Sequence, residues 1–297
     1  MSEQKGVTIR TALQEAIKKL EAARVPDAKA EAEFLLTHLL FLKRHELFLD
    51  PERQLTKKES ELWNSFIERK ANREPSQYII GETEFYGYRF KVTPDVLIPR
   101  PETELLVEEA IKTASSFKGE INIVDLCTGS GCIAIAVAKE IKSSNVFATD
   151  ISAGALKVAA ENAKLNSITE RVSFFEGDLF KPLEGTGLEN KIHLILSNPP
   201  YVSTKDKEIL EPEVRDFEPA SALLAGDNGL EFYRRIILEA PLYLLSGGYL
   251  IMELGYGQAD LVRSMAEENG RFASIEVKKD YSGIERVFKA QIKQHEL

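Results

Sequence analysis

Cysteine is scarce in this 297-residue chain, and long apolar runs are missing from it. Its two cysteines, Cys127 and Cys132, lie too close together for a disulfide framework, and no Cys/His cluster has the spacing of a zinc site. The polar start, Met1–Arg10, lacks the apolar core of a signal peptide, and no stretch is long enough to cross a bilayer. These absences predict a cytoplasmic protein with no metal and no membrane association.

An excess of basic charge is also lacking. The formal net charge of -9 disfavours non-specific binding to nucleic acid, although it leaves room for a local basic patch. Hydrophobic residues make up 43% of the chain and charged residues 29%, which is typical of a globular protein. The length allows two domains.

The first part of the chain is helical in pattern and carries no catalytic motif. Apolar residues recur at helical spacing in three segments. Asp27 is placed to cap the second helix, and Thr56 with Glu59 forms a capping-box pattern ahead of the third. We therefore expect a helical domain over residues 1–75.

Aromatic residues crowd around Gly87 in the next stretch. Their β-rich pattern about a glycine predicts a β-hairpin linker over residues 76–99. Few basic residues interleave with these aromatics, so we expect them to pack in a core rather than to stack on nucleic-acid bases.

Residues 100–297 alternate apolar strands with amphipathic helices. This alternation predicts an α/β domain with a doubly wound sheet covered on both faces. One helix is predicted over residues 230–238. Residues 202–228 show no periodicity, so they are predicted to form a lid or binding loop.

The most informative stretch joins the apolar run Ile192–Ser197 to Asn198, Pro199, Pro200 and Tyr201. Prolines cannot donate to a sheet ladder and restrict the residue before them, so the strand ends at Asn198 and the Asn198 side chain has a fixed direction. The loop offers an amide oxygen, an unpaired carbonyl and an aromatic face, which suit a planar NH2 group. A plain strand-ending turn explains the loop equally well when it is considered alone.

A glycine-rich turn follows the first strand of the sheet and consists of Cys127, Thr128, Gly129, Ser130 and Gly131. Its glycines let the backbone approach a ligand closely. The turn lacks the lysine of a phosphate-binding loop and the third glycine of the dinucleotide fingerprint. We therefore expect a nucleoside-like ligand rather than a nucleotide.

Two acids follow neighbouring strands. Asp150 is placed to accept both hydroxyls of a ribose, or alternatively to cap the next helix if Ser152 does not. Asp178 is placed to accept from an adenine amino group while Leu179 packs on the ring, although both residues also suit a simple turn.

The ordered set of the glycine-rich turn with Asp125, Asp150, Asp178 and the Asn-Pro-Pro-Tyr loop resembles class I S-adenosylmethionine-dependent methyltransferases. Further blocks resemble the HemK (PrmC) family of peptide chain release factor glutamine methyltransferases. These blocks are Gln77–Gly81, Glu84–Gly87, Ile98–Glu104, Asp227–Leu230, Gly247–Leu250 and Lys279–Arg286. Two positions depart from the family pattern. Cys127 stands where the family usually has glycine, and Leu179 replaces a larger aromatic.

The resemblance implies a Rossmann-like seven-stranded sheet with a final antiparallel strand over residues 100–297, and a substrate-recognition role for residues 1–75. It implies transfer of a methyl group from S-adenosyl-L-methionine to N5 of the glutamine in the Gly-Gly-Gln motif of release factors, with no direct nucleic-acid substrate. The implied catalytic and substrate-binding residues are Asn198, Pro199, Pro200 and Tyr201. The implied cofactor-binding residues are Cys127, Thr128, Gly129, Ser130, Gly131, Asp150, Asp178, Leu179 and Asn198.

Three other functions share features of this sequence. An N6-adenine methyltransferase uses a similar loop, but the net charge of -9 argues against it. A non-catalytic cofactor-binding module has no need of both Asn198 and Asp150. A glutamine methyltransferase acting on a ribosomal protein shares the loop and stays open.

Overall fold

In the computed structural model, which describes residues 6–294, the chain divides into two compact units. The first comprises the residues up to Gly81 with Glu211–Phe217, and the second comprises Glu82–Leu210 with the residues from Glu218 onward. Half of the polar start used for the signal-peptide prediction, residues 1–5, lies outside the described residues. Within the described part, no helix has the length and apolar character needed to cross a membrane.

The first unit is built from amphipathic helices around one apolar core. Leu20, Leu36 and Trp63 are buried in that core. A 3-10 turn, Arg44–Phe48, follows the second helix. The helices are α1 (Ile9–Ala22), α2 (Ala28–Leu40), α3 (Lys57–Ala71) and α4 (Ser76–Ile80).

The predicted caps of these helices have different outcomes. The capping box of α3 is confirmed, because Thr56 Oγ1 accepts from the Glu59 N–H at 3.2 Å and the Glu59 carboxylate accepts from the Thr56 N–H at 2.7 Å. The side-chain cap predicted for Asp27 is wrong. Asp27 precedes α2 but has a left-handed backbone (φ 49°), and its side chain makes no capping bond. A capping side chain reaches the first turn from an extended backbone, which Asp27 does not have.

The predicted hairpin is confirmed and belongs to the second unit. Strands β1 (Glu82–Phe85) and β2 (Tyr88–Lys91) are antiparallel, and the two turn residues between them have positive φ, as in a type I′ turn. Phe85 and Phe90 are buried and pack edge to face with ring centroids 6.0 Å apart, which confirms their predicted packing role. The β character does not extend back to residues 76–80, which form α4.

The second unit contains a seven-stranded sheet. Its strands are β3 (Ile121–Leu126), β4 (Ser144–Asp150), β5 (Val172–Glu176), β6 (Ile192–Ser197), β7 (Leu244–Glu253), β8 (Phe272–Lys279) and β9 (Glu285–Ile292). Their order is β5-β4-β3-β6-β7-β9-β8, and β9 runs antiparallel to the other six strands of the sheet. The predicted sheet with a final antiparallel strand is therefore confirmed. The strand order reverses at β3, which places the carboxyl ends of β3, β4 and β6 around a crevice.

The remaining α-helices follow in chain order, and most of them contact the sheet. They are α5 (Glu104–Ala114), α6 (Cys132–Glu140), α7 (Ala153–Leu165), α8 (Pro212–Phe217), α9 (Ala220–Leu223), α10 (Glu231–Tyr243) and α11 (Ala259–Asn269). Of these, α8 lies in the part of the chain that belongs to the first unit. There Glu213 accepts two hydrogen bonds from Arg73, at 2.6 and 2.7 Å.

Two predictions for this part of the chain are wrong in detail. Residues 202–228 are not structureless, because they contain α8, α9 and a 3-10 turn. The helix predicted over residues 230–238 runs on to Tyr243 through Pro241. A proline within a helix strands the carbonyl four residues earlier. Here that carbonyl, on Ile237, accepts from Asn269 Nδ2 of α11 at 3.3 Å, so the helix continues.

Candidate active site

The glycine-rich turn joins β3 to α6 through left-handed backbone. Cys127 (φ 59°), Gly129 (φ 55°) and Gly131 (φ 80°) all have positive φ. A Cβ on Gly131 would lie 3.1 Å from Ala159, a tight contact that adds to the preference for glycine at this positive φ. Cys127 occupies the conformation that suits glycine, at a cost on the order of 1 kcal/mol.

Asp125 lies beneath this turn, with no part of its surface exposed. Its Oδ2 accepts from Thr128 Oγ1 at 2.5 Å and from the Ala134 N–H at 3.2 Å, whereas Oδ1 is buried without a partner. Burial raises the pKa of Asp125 to about 7. The carboxyl therefore holds the turn against the start of α6 at a cost in desolvation.

Asp150 ends β4 and contacts the same turn. Oδ2 accepts from the Gly129 N–H at 2.8 Å, and Oδ1 accepts from the Ser152 N–H at 2.9 Å. The hydroxyl of Ser152 accepts from the Ala155 N–H at 3.1 Å and caps α7. Asp150 is thus released from capping, and its carboxylate borders the crevice.

A cavity of about 290 Å³ opens at the carboxyl ends of the strands. Seven of the residues named from the sequence line it: Cys127, Gly129, Asp150, Asp178, Leu179, Asn198 and Pro200. Thr128, Ser130 and Gly131 complete the turn without lining the cavity, and Pro199 and Tyr201 continue the loop from Asn198. Further lining residues that sequence reasoning missed include Val96, Phe232 and Arg235. The structure therefore brings the predicted turn, acids and loop to one crevice.

Asp178 has a partner that the sequence did not reveal. Its Oδ2 accepts from the guanidinium of Arg235 on α10 at 2.6 Å, and both side chains are partly exposed. The guanidinium also lies over the Phe232 ring, 5.9 Å from its centroid. Leu179, beside Asp178, has a left-handed backbone (φ 49°) and is buried.

The loop after β6 fixes the Asn198 amide. Its Nδ2 donates to Thr103 Oγ1 at 3.2 Å, and Thr103 Oγ1 donates to Glu253 Oε2 at 2.6 Å. Pro199 and Pro200 are both buried. The amide nitrogen is therefore engaged on the protein side, and Oδ1 remains as an acceptor.

Tyr201 closes the loop against the end of β7. Its hydroxyl donates to Glu253 Oε1 at 3.4 Å, and its carbonyl accepts from Gln258 Nε2 at 3.0 Å. The ring faces Gly255, where a Cβ would come within 2.9 Å of it. Burial and the nearby Glu253 carboxyl raise the pKa of Tyr201, so its hydroxyl remains a donor.

Thr103 and Glu253 were not predicted as site residues. Glu253 is an acid at the carboxyl end of a strand, and open α/β sheets bind ligands at that end of their strands. This position can be recognised in the sequence, so Glu253 could have been predicted as a site residue. Thr103 lies in the block Ile98–Glu104, which the sequence marked only by its resemblance to the family. In that block, Arg100 is paired with Glu218 at 2.5 Å. Among residues 6–294, no three His, Cys, Asp or Glu side chains gather where they could hold a metal ion.

Comparisons with known proteins agree with this geometry. Residues 11–81 match the PrmC N-terminal domain, and residues 101–282 match the methyltransferase small domain. The chain is 42% identical over 285 residues to a release factor glutamine methyltransferase of Geobacter sulfurreducens, covering 96% of this chain and 97% of the relative. It is 44% identical to one of Thermodesulfovibrio yellowstonii, covering 86% and 90%.

A solved structure shows the same fold. A methyltransferase from Pyrococcus furiosus superposes with a TM-score of 0.50 at 16% identity, covering 70% of this chain and 91% of that one. At this identity the likeness concerns the fold alone. The near full-length matches at about 40% identity carry the assignment, and they confirm the resemblance inferred from the sequence blocks. The chain therefore belongs to the family of release factor glutamine methyltransferases.

Proposed function

We propose that this chain transfers a methyl group from S-adenosyl-L-methionine to the side-chain amide nitrogen of the glutamine in the Gly-Gly-Gln motif of peptide chain release factors. The observation that carries the proposal is the Asn198 amide, which lines the cavity with its nitrogen already engaged by Thr103 at 3.2 Å. A neutral NH2 substrate needs acceptors, and Oδ1 is the atom left to accept. The names of the close relatives support the substrate.

The loop is suited to an amide nitrogen, which is a poor nucleophile because its lone pair is delocalised into the carbonyl. Asn198 Oδ1 and the Pro199 carbonyl each accept one N–H and hold the NH2 group in one orientation. Such orientation supplies several kcal/mol of the barrier, and acceptors aimed at developing positive charge add to it. Tyr201 covers the flat face of the amide, and Pro200 keeps the loop stiff.

The cavity fits the proposed cofactor by the chemistry of its walls. When bound, S-adenosyl-L-methionine supplies an electrophilic methyl group on a positively charged sulfur. The Asp150 carboxylate would accept from ribose hydroxyls, and the Asp178 oxygen that Arg235 does not engage would accept from the adenine amino group. Leu179 and Phe232 offer apolar surface to the ring. Cys127 and Gly129, the residues of the glycine-rich turn that line the cavity, would face the amino-acid end of the cofactor.

We further propose that the helical domain predicted over residues 1–75 recognises the release factor. Phe41, Phe48 and Leu49 of this domain are exposed, at 92%, 57% and 76%, and large exposed apolar side chains mark a contact surface where they form a contiguous patch. A Phe41→Ser, Phe48→Ser double variant is expected to raise KM for intact release factor but not for a free Gly-Gly-Gln peptide. An equal change for both substrates would contradict this role.

Labelled methyl transfer tests the function directly. The chain is incubated with methyl-labelled cofactor and, separately, with purified release factor, the same factor with its loop glutamine replaced, total RNA and ribosomal proteins. We expect label only on the intact release factor, which also fits the predicted cytoplasmic location. Label only on RNA would support the adenine alternative, and label only on a ribosomal protein would support the related glutamine methyltransferase. Either outcome contradicts the proposal.

A further inference from the structure

A buried hydrogen-bond chain runs behind the Asn198 amide, away from the cavity. Thr103 and Glu253 are each 2% exposed, and neither lines the cavity. Thr103 precedes α5 and Glu253 ends β7, so the two residues are 150 positions apart in sequence. They meet at 2.6 Å directly behind the loop that carries Asn198.

The direction of this chain is set by the number of protons available. A carboxylate has only acceptor sites, so the single hydroxyl proton of Thr103 points at Glu253. The Thr103 oxygen then presents only lone pairs to Asn198, and the amide must turn its NH2 group toward them. Rotating the amide by half a turn would place Oδ1 against another acceptor with no proton between them. The carboxylate therefore determines which end of the Asn198 amide faces the cavity.

We propose that Thr103 and Glu253 are positioning residues that fix the Asn198 amide with its oxygen toward the substrate NH2 group. The inference rests on the proposed function and deepens it, because it names the residues that select for an NH2-bearing substrate. An Asn198 amide free to rotate offers a donor half of the time, and a donor repels the N–H groups of the substrate. The Tyr201 hydroxyl, which donates to the other oxygen of Glu253 at 3.4 Å, attaches the second half of the loop to the same carboxyl.

The ionisation state of Glu253 decides whether this arrangement holds. Burial raises the pKa of Glu253 to about 7, with Arg286 opposing the rise. Protonated Glu253 has a proton to donate and no longer dictates the direction of the Thr103 hydroxyl. Methyl transfer is therefore expected to weaken as the pH falls through about 7. The titratable and charged groups that face Glu253 are Glu102, Cys132, Tyr201, Tyr233 and Arg286.

Two substitutions at Thr103 separate positioning from packing. Thr103→Val keeps the volume and removes the hydroxyl, whereas Thr103→Ser keeps the hydroxyl and removes a methyl group. We expect Thr103→Val to lower kcat on release factor by about 20-fold, with the affinity for S-adenosyl-L-methionine changed by less than about twofold. Thr103→Ser is expected to retain kcat within about threefold of the wild type. Wild-type kcat in Thr103→Val, or equal losses in both variants, would overturn the inference.

Glu253→Gln supplies an independent readout if Thr103→Val folds poorly. The kcat of the wild type is expected to rise between about pH 6 and about pH 8. This rise is expected to be absent from Glu253→Gln, because the glutamine amide does not titrate in that range. An unchanged rise in this variant would contradict the role of Glu253.

Crystal structures of the wild type and Thr103→Val make the test independent of the substrate. Displacement of the Asn198 side chain, or an exchange of its amide oxygen and nitrogen resolved by neutron diffraction from these crystals, supports the inference, and an unmoved side chain with the same amide orientation contradicts it. If the wild type methylates a different NH2 group, the proposed function fails, but the same kinetic ratios and the same structures still decide the positioning role. If the wild type methylates release factor and all three variants match it, only the positioning role fails.

Discussion

The Asp150→Ala substitution tests the cofactor site, because this carboxylate contacts the backbone on one side and borders the cavity on the other. On the protein side it accepts two backbone N–H groups, from Gly129 at 2.8 Å and from Ser152 at 2.9 Å. On the cavity side it is the proposed acceptor for ribose hydroxyls. Removing it therefore affects both the stability of the turn and the affinity for the cofactor.

The two effects have different sizes. Each hydrogen bond to an ionised acceptor contributes roughly 1.5–3 kcal/mol, and burial, which raises the pKa of Asp150, offsets part of that gain. We expect the free energy of unfolding to fall by about 2–4 kcal/mol. Loss of the ribose acceptor is expected to weaken binding of S-adenosyl-L-methionine by about 1–3 kcal/mol, or about 5- to 150-fold in Kd.

Ser144→Ala is a matched control at the other end of the same strand. The buried Ser144 hydroxyl donates to the Ile141 carbonyl at 2.7 Å, about 20 Å along β4 from Asp150. Its loss is expected to cost about 1 kcal/mol of stability with no change in affinity. Urea unfolding measures the first quantity and titration calorimetry the second. Wild-type affinity in Asp150→Ala would refute the ribose assignment, and an affinity loss in Ser144→Ala would show that destabilisation alone weakens binding.

Three further outcomes are expected. Asn198→Ala should lower kcat by at least about 100-fold, because one preorganised acceptor is lost; unchanged turnover at saturating release factor would rule out the acceptor role. Cys127→Gly should keep the free energy of unfolding within about 1 kcal/mol of the wild type, because relief of the positive φ offsets the lost packing. Cys127→Val should lower it by about 1–3 kcal/mol in urea unfolding, and equal stabilities of the two variants would contradict strain at this turn. Burial raises the pKa of Asp125 to about 7, so folding favours its protonated form and the wild type should lose stability as the pH rises from about 4 to about 7. Thermal unfolding of Asp125→Asn across that range should show a smaller loss, and a parallel curve would refute the assignment.

Local signals in the sequence predicted the elements on which the site is built. The end of β6 at Ser197 follows from the two prolines after Asn198, because proline sterics act on adjacent residues whatever the surrounding fold. The capping box of Thr56 and Glu59 and the cap by Ser152 are confirmed for the same reason, since each joins residues only three positions apart. The alternation of apolar strands and helices likewise determined the doubly wound sheet.

The same local signals failed where a distant group competed. Asp27 has the right residue type for a cap but the wrong backbone conformation. Pro241 does not end α10, because Asn269 of another helix donates to the Ile237 carbonyl that the proline leaves without its helical partner. Neither outcome can be read from the neighbouring residues. Both depend on how elements pack after the chain has folded.

Only the tertiary structure decided the polar pairs of the site. Arg235 reaches Asp178 across 57 positions, and Glu253 reaches Thr103 across 150. The order of the strands, not their spacing in the chain, brings the ends of β6 and β7 together around Asn198. The sequence by itself could therefore supply the acceptor loop, whereas the direction of the Asn198 amide depends on a carboxylate that the fold alone places behind it.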